Sequence, residues 1–218
     1  MKQLLISIVC LSTALSLWAA WPTTKMITSP SPAKSDWVKV QDDCGKCDVW
    51  YEERQSFSPD HVGTRTPSHI NQGFELLQGK PIFTGSILGG CIDSLYDIFN
   101  GDRYADMPVL CQKYRLFPTA QEWKGKILLL ESSEEKPTPA IYRRALEYLK
   151  QTGVFDSVSG VLAGKPMDET YSDEYNNLLV DVINKPDLPI VFNLNIGHAM
   201  PRCIPIFAGD LTQNQYSA

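Results

Sequence analysis

Glu131 and His198 are the two residues whose types and placement could do chemistry together. Glu131 ends a short apolar run that begins at Lys126, and His198 follows a second run, Leu188 to Leu194, inside the segment Asn195-Ile196-Gly197-His198-Ala199-Met200-Pro201. In parallel α/β sheets, ligands collect just beyond the carboxyl ends of the strands. A carboxylate at such an end can hold an imidazole in one tautomer and stabilise its charged form, as a general base working on a hydroxyl requires. The plainer reading makes Glu131 a loop-capping carboxylate, Ser132 and Ser133 turn residues, and His198 a structural histidine in a glycine turn.

Other candidates carry less. His61 and His69 sit in an irregular stretch with no Cys or carboxylate set at ligand spacing, and read as solvated loop residues. Cys44-Gly45-Lys46-Cys47 has the spacing of a redox or zinc pair, but zinc needs a second pair and a thioredoxin-like site needs a strand before it and a helix after it. In an oxidising compartment the two cysteines could form a local disulfide. Gly85-Ser86-Ile87-Leu88-Gly89-Gly90-Cys91-Ile92-Asp93 reads as a glycine turn opening a short helix, with Ile92, Leu95, Tyr96 and Phe99 on one side. Its backbone N–H groups could face a carboxylate or oxyanion. No spacing implies a metal or an organic cofactor.

The elements that position these residues follow from the hydrophobic pattern. Lys126 to Glu131 reads as a strand buried on both faces. Thr138 as cap and Pro139 at the first helical position open a helix whose buried side is Ile141, Ala145, Leu146 and Leu149, with Gly153 as its terminator. Val158 to Ala163 is a second strand, ended by Gly164-Lys165-Pro166. A second helix begins at Ser172, with Asp173 and Glu174 in its first turn and Tyr175, Leu178, Leu179 and Val182 buried, and Pro186 stops it. Leu188 to Leu194 is a third strand and Cys203 to Ala208 a fourth. This alternation predicts an α/β layer with a small, partly parallel sheet flanked by helices.

Upstream, residues 21–73 are rich in Pro, Ser, Thr and Asp without a helical or strand period, apart from a short strand near Asp48 to Tyr51, and read as a loop-rich connector that holds no core. Residues 1–20, with Lys2 and then an apolar run, resemble a secretory signal peptide, although Trp18 sits where a small residue is wanted. The rival reading makes them the remnant of a truncated amino-terminal domain, so the location is secreted under one reading and cytoplasmic under the other. The run is too short and too rich in serine for a membrane span. The whole chain has 218 residues and a net charge of −5, with 43% hydrophobic and 21% charged residues, which suits a globular domain and excludes disordered and fibrous classes. Without a basic stripe, nucleic acid and anionic membranes are poor candidate partners, and peptide or small-molecule chemistry is left open.

The matching stretches Asn71-Gln72-Gly73 to Gly79, Gly85 to Leu95, Gly125 to Glu131, Tyr142 to Asp156, Gly160 to Lys165, and Gly197-His198 with Pro201 and Ile204-Pro205-Ile206 carry a family resemblance. In order and spacing they resemble the carboxyl-terminal part of the serine-type LD-carboxypeptidases, in the branch of the microcin C self-immunity peptidases. The resemblance covers roughly residues 35–210. It implies a swivelling-type domain over residues 74–218, preceded by the loop-rich arm. It also implies a Ser-His-Glu hydrolase that removes a residue from the carboxyl end of a peptide or peptide-like substrate.

Carried over by position, Glu131 is the carboxylate that orients the histidine and His198 is the general base. Gly89 and Gly90 form a substrate-side loop, with Cys91 where many members have Asn. The family serine lies in a Gly-Tyr-Ser-Asp type turn of an amino-terminal domain, and that segment does not occur in this sequence. Ser86, Ser132 and Ser133 lie near the expected site without the turn-then-helix setting of a nucleophile. Two readings therefore stand: a carboxypeptidase whose nucleophile is missing from this chain, and a non-catalytic descendant that binds a peptide or small metabolite. The resemblance also implies a homodimer.

Overall fold

The computed structural model of the chain describes residues 47–201, apart from 54 and 57, together with the backbone of 210–215. Residues 1–20, Cys44 and the expected strand at Cys203 to Ala208 lie outside the described residues. A six-stranded sheet dominates. Its strands are β3 (Glu75–Gln78), β4 (Ile82–Cys91), β5 (Lys126–Glu131), β6 (Gly160–Gly164), β7 (Ile190–Leu194) and β8 (Asp210–Gln215), in the order β3-β7-β6-β5-β4-β8. The four central strands are parallel, and the two edge strands run antiparallel to them.

Period-two alternation sorts the continuous apolar runs onto two faces. Leu128 and Leu130 of β5, Val161 and Ala163 of β6, and Ile190 and Phe192 of β7 join the larger core. That core is completed by α1 (Ile92–Asn100), α4 (Pro139–Gln151) and α6 (Ser172–Ile183), and by Trp123 of the short α3 (Ala120–Trp123). Ile127, Leu162, Val191 and Leu194 face the other way and pack with Phe83, Ile87 and Ile196 in a smaller core. Glu131 has the parity of Ile127 and Leu129, so the sheet sends its carboxylate to the face away from those helices.

The helices begin and end mostly as their sequences dictate. In α4, Pro139 occupies the first turn and buries Tyr142, Ala145, Leu146 and Leu149, but Thr138 holds the cap position without a side-chain capping bond. Helix α6 terminates at Asn184, which adopts the left-handed conformation (φ 49) two residues before Pro186. Tyr142 and Tyr175 lock the two helices together, their rings stacked 3.9 Å apart, and the Tyr175 hydroxyl donates to the Pro137 carbonyl.

The structure corrects two sequence expectations. The segment from Gly85 to Cys91 is not a turn; it belongs to the ten-residue strand β4, and α1 starts at Ile92, burying Ile92, Tyr96 and Ile98 while Leu95 and Phe99 pack at the core's edge. Gly85 and Gly89 allow close approach between strands: a Cβ at Gly85 would stand 2.6 Å from the Gly125 carbonyl oxygen, and one at Gly89, whose φ is +146, 1.9 Å from that of Leu129. The arm also holds more structure than its composition suggests. β1 (Val49–Tyr51) and β2 (Ser68–Ile70) pair antiparallel, and Trp50 between them is only 5% exposed.

Candidate functional site: the carboxyl edge of the parallel strands

Strands β4, β5, β6 and β7 deliver Cys91, Glu131, Gly164 and Leu194 to one edge of the sheet, with Cys91 and Glu131 in register. The loop after β7 returns over this edge and brings in His198. Its Nδ1 donates to Glu131 Oε2 at 2.9 Å. The Glu131 side chain is 11% exposed and that of His198 is 32% exposed, so the carboxylate is enclosed while the imidazole keeps an open side. Burial pushes the Glu131 carboxyl above its ordinary range, and the hydrogen bond and charge of His198 pull it back in part.

Two glycines make room for this carboxylate. Gly197 has φ +68, and a Cβ there would fall 2.2 Å from Glu131 Oε2; at Gly164 it would lie 3.0 Å from Glu131 Cβ. The turn before His198 thus needs glycine for its backbone and for its neighbour. On its far nitrogen His198 has a second carboxylate, with Nε2 lying 2.8 Å from Glu134 Oε2.

The remaining sequence candidates are placed as follows. Gly89 and Gly90 lie at the end of β4 beside Glu131; Gly89 packs against β5, whereas a Cβ at Gly90 would meet nothing within 4 Å. Cys91 is a free thiol that contacts Asp93 Oδ2 at 3.4 Å. Burial first, then the negative charges of Glu131 and Asp93, push its thiol up to about 12, so it stays protonated and is a poor nucleophile. Ser86 lies in the middle of β4, opposite the start of β5, and accepts from Lys126 Nζ. Ser132 and Ser133 are buried, and Ser133 Oγ accepts from the Glu135 N–H. Among the described residues, the contacts of His198 are with Glu131 and Glu134, and no serine hydroxyl reaches it.

The structure corrects the reading of His69 as a loop residue, while its side chain is exposed as expected. It lies in β2, stacks on Trp50 with ring centroids 4.3 Å apart, and pairs with Glu52 at 2.8 Å. His61 ends a single-turn 3-10 helix, Pro59–His61, with Ser56 and Ser58 around its Nδ1. Cys47 is disulfide-bonded.

Lys165 is the site residue that the sequence did not single out. It directly follows β6, is only 1% exposed, pairs with Glu169 and holds its ammonium 5.4 Å from the centre of the Trp50 ring. Burial lowers its pKa, and Glu169 opposes that. The signal for it was a lysine placed directly after a fully apolar strand, where a charge has no easy route to water. Asn71 and Asn195, both buried and joined at 2.8 Å, tie the arm to the loop that carries His198, and Tyr51 N donates to the Met200 carbonyl. The β1–β2 hairpin is therefore a wall of the site.

Residues 84–212 match the model of the LD-carboxypeptidase C-terminal domain. A MccF-like protein from Streptococcus pneumoniae, solved in complex with AMP, is 52% identical over 78% of this chain and 51% of its own, with a TM-score of 0.70. A MccF-like protein from Bacillus anthracis str. Ames shares the fold at 21% identity and TM-score 0.53, over 72% of this chain and 43% of its own. The microcin C7 self immunity protein MccF in complex with aspartyl sulfamoyl adenosine shares it at 20% identity and TM-score 0.53, over 77% and 44%. The chain thus spans about half the length of these proteins or less. No curated protein matches it.

Proposed function

Because the chain belongs to the LD-carboxypeptidase family through its carboxyl-terminal domain, we propose that it supplies the histidine and glutamate of a serine-type carboxypeptidase acting on a peptide or peptide-like small molecule. The observation that carries this reading is the 2.9 Å bond from His198 Nδ1 to the enclosed Glu131 carboxylate. Glu131 fixes the tautomer, which leaves Nε2 as the atom that exchanges a proton. As a serine oxygen attacks the scissile carbonyl carbon, Nε2 takes the hydroxyl proton. It then passes that proton to the departing amine, and water hydrolyses the resulting ester. The serine belongs to the half of the family architecture that this sequence does not match.

The neighbours' ligands, AMP and aspartyl sulfamoyl adenosine, point to amino-acid conjugates of a nucleotide as the first substrates to try. Gly90, with open space where a Cβ would stand, marks the substrate side of β4. A homodimer, implied by the sequence resemblance, belongs to the same proposal. The test is release of the amino acid from an aminoacyl sulfamoyl adenosine, and of the last residue from a peptide, followed by mass spectrometry. Turnover that His198→Ala and Glu131→Ala abolish supports the reading. Binding of the conjugate without turnover, unchanged in both variants, overturns it in favour of a non-catalytic binder. The observation favouring that second reading is the occupant of His198 Nε2, which is a carboxylate and not a hydroxyl.

A further inference from the structure

Three segments meet beside the open edge of the sheet, and one carboxylate joins them. Asp168, in the loop after β6, accepts the Glu53 N–H on Oδ1 at 2.6 Å and the Lys136 ammonium on Oδ2 at 2.5 Å. Lys136 also reaches Glu53 Oε2 at 3.2 Å. Glu53 lies just past β1 in the arm, and Lys136 lies in the loop between β5 and α4. Both segments lead within a few residues to the Glu131–His198 pair. Lys136 is five residues beyond Glu131, in a loop whose near end is held by the Ser133 N–H donating to Asp93 Oδ2 at 2.9 Å. Glu53 is two residues beyond Tyr51, whose N–H donates to the carbonyl of Met200, itself two residues beyond His198.

The backbone around this carboxylate is strained. Asp168, Glu169 and Tyr171 are left-handed, with φ of 56, 53 and 60, and Lys136 across the ion pair is left-handed too, at φ 48. Residues other than glycine hold such a conformation only where their surroundings over-determine it, and strain of this kind gathers at functional sites. Here the surroundings are contacts to the arm. Asp168 turns to Glu53 and Lys136, while Glu169 turns inward to Lys165, whose ammonium lies against the ring of Trp50 in β1. One short loop thus grips the arm at two places. An isolated surface ion pair would contribute little, but the Asp168 side chain is only 22% exposed and also binds a backbone donor.

We propose that Asp168 is a positioning residue for the Glu131–His198 pair: it clasps the arm to the loop after β5 and so holds the two strand-end loops at the spacing that keeps His198 Nδ1 on Glu131. This rests on the reading of that pair as the working part of the site. Asp168 acts through Lys136 on one side and through Glu53, Tyr51 and Met200 on the other.

The test uses the whole chain, ¹⁵N-labelled, as the parent and as Asp168→Ala, Asp168→Asn and Lys136→Met. The sequence has only three histidines, and His198→Asn identifies the His198 ring by loss of its signals. In Asp168→Ala, amide exchange at Tyr51 and Glu135 should quicken roughly tenfold, the effect of losing about one local hydrogen bond. The Nδ1–H signal of His198 should weaken, while exchange at Leu146 and Leu179 in the helical core stays as in the parent. Asparagine tolerates the left-handed backbone and keeps an acceptor for the Glu53 N–H, so Asp168→Asn should restore protection at Tyr51. Lys136→Met should quicken Glu135 and leave Tyr51 slow. An unchanged His198 signal in Asp168→Ala, or unchanged exchange at both Tyr51 and Glu135, overturns the proposal. Quickening shared equally by Leu146 and Leu179 overturns it as well, since that is a general loss of stability. If alanine prevents folding, quickening at Glu135 in both Asp168→Asn and Lys136→Met supports the clasp and its absence overturns it. These signals are read without substrate, so a parent that shows no turnover overturns the hydrolase reading alone. Where turnover is seen, Asp168→Ala should lower kcat by about tenfold to a hundredfold with KM nearly unchanged, and an unchanged kcat overturns the proposal.

Discussion

Gly197 and Glu131 occupy space that only one side chain can fill: a Cβ at position 197 would lie 2.2 Å from Glu131 Oε2, on a backbone whose φ is already +68. Gly197→Ala must therefore strain the turn and push the carboxylate off the His198 nitrogen. The left-handed backbone alone costs a non-glycine residue about 1–2 kcal/mol. The expected result is a lower melting temperature together with loss of the fixed Nδ1–H signal of His198. Unchanged melting and an unchanged ring spectrum would show that the loop slides at no cost and that the Glu131 contact is not tightly specified.

Glu131→Gln separates stability from chemistry. Burial raises the Glu131 carboxyl above its ordinary value of 4.5, so the folded state holds this proton more tightly than the unfolded chain does. The contribution to stability is fully present below about 4.5 and is lost as pH rises through the folded value. At pH 7 the variant, which carries no buried charge, should melt at or above the parent, with the difference vanishing toward pH 4. Turnover by the full hydrolase should fall by about 10³–10⁴, as when a triad loses the carboxylate that sets its tautomer. A variant that melts well below the parent at pH 7 would mean that the charge-assisted bond to His198 outweighs the cost of burial.

How far the sequence revealed the site depended on the length of the pattern available. The continuous apolar run ending at Glu131 marks a strand buried on both faces, so the strand was legible but not the face of its last residue, and Gly197-His198 stood at a strand end where ligands gather. Of the β1–β2 pair only β1 was legible, as the short strand near Asp48 to Tyr51; β2 and the pairing were not, because three residues are too few to display a period. Trp50 meets partners distant in sequence, His69 and Lys165. The glycines from Gly85 to Gly90 were misread because local chemistry associates glycine with turns, whereas here Gly89 lets β4 lie close against the Leu129 carbonyl. Contacts of that kind are set by the register of two strands and leave no mark within either.

Lys165→Met tests whether the buried ammonium is a burden on the fold. Its pKa lies below the ordinary 10.5 because of burial, so the unfolded chain binds this proton more tightly. The charge therefore costs stability below the folded value, and the cost is relieved as pH rises toward 10.5. Methionine keeps the length and fills the space beside Trp50 without a charge, and Glu169, 37% exposed, can turn to water. The variant should melt at or above the parent at pH 7, and the gap should narrow between pH 7 and 10.5. A loss of about 3–5 kcal/mol in urea titrations, the range for breaking a net-stabilising buried pair, would show that Glu169 more than compensates for the burial.

Tyr175→Phe and Leu146→Ala measure what holds the helical layer to the sheet. Tyr175 is 2% exposed, stacks on Tyr142 and donates its hydroxyl to the Pro137 carbonyl, whereas Leu146 is fully buried in the middle of the larger core. Phenylalanine keeps the stacking and removes one buried hydrogen bond, leaving the carbonyl unpaired, for a cost of about 1–3 kcal/mol. Alanine at 146 removes several buried carbons and leaves a cavity, for about 2–5 kcal/mol. Pro137 precedes Thr138, the cap residue of α4, and closes the loop that carries Glu134, so Tyr175→Phe should also loosen that loop. Hydrogen exchange at the Glu135 and Lys136 amides should speed up in Tyr175→Phe by more than it does in Leu146→Ala at matched global stability. Equal protection in the two variants would show that the hydroxyl anchors only the helix, and that the loop holding Glu134 is fixed by Asp93, Asp168 and Glu53 alone.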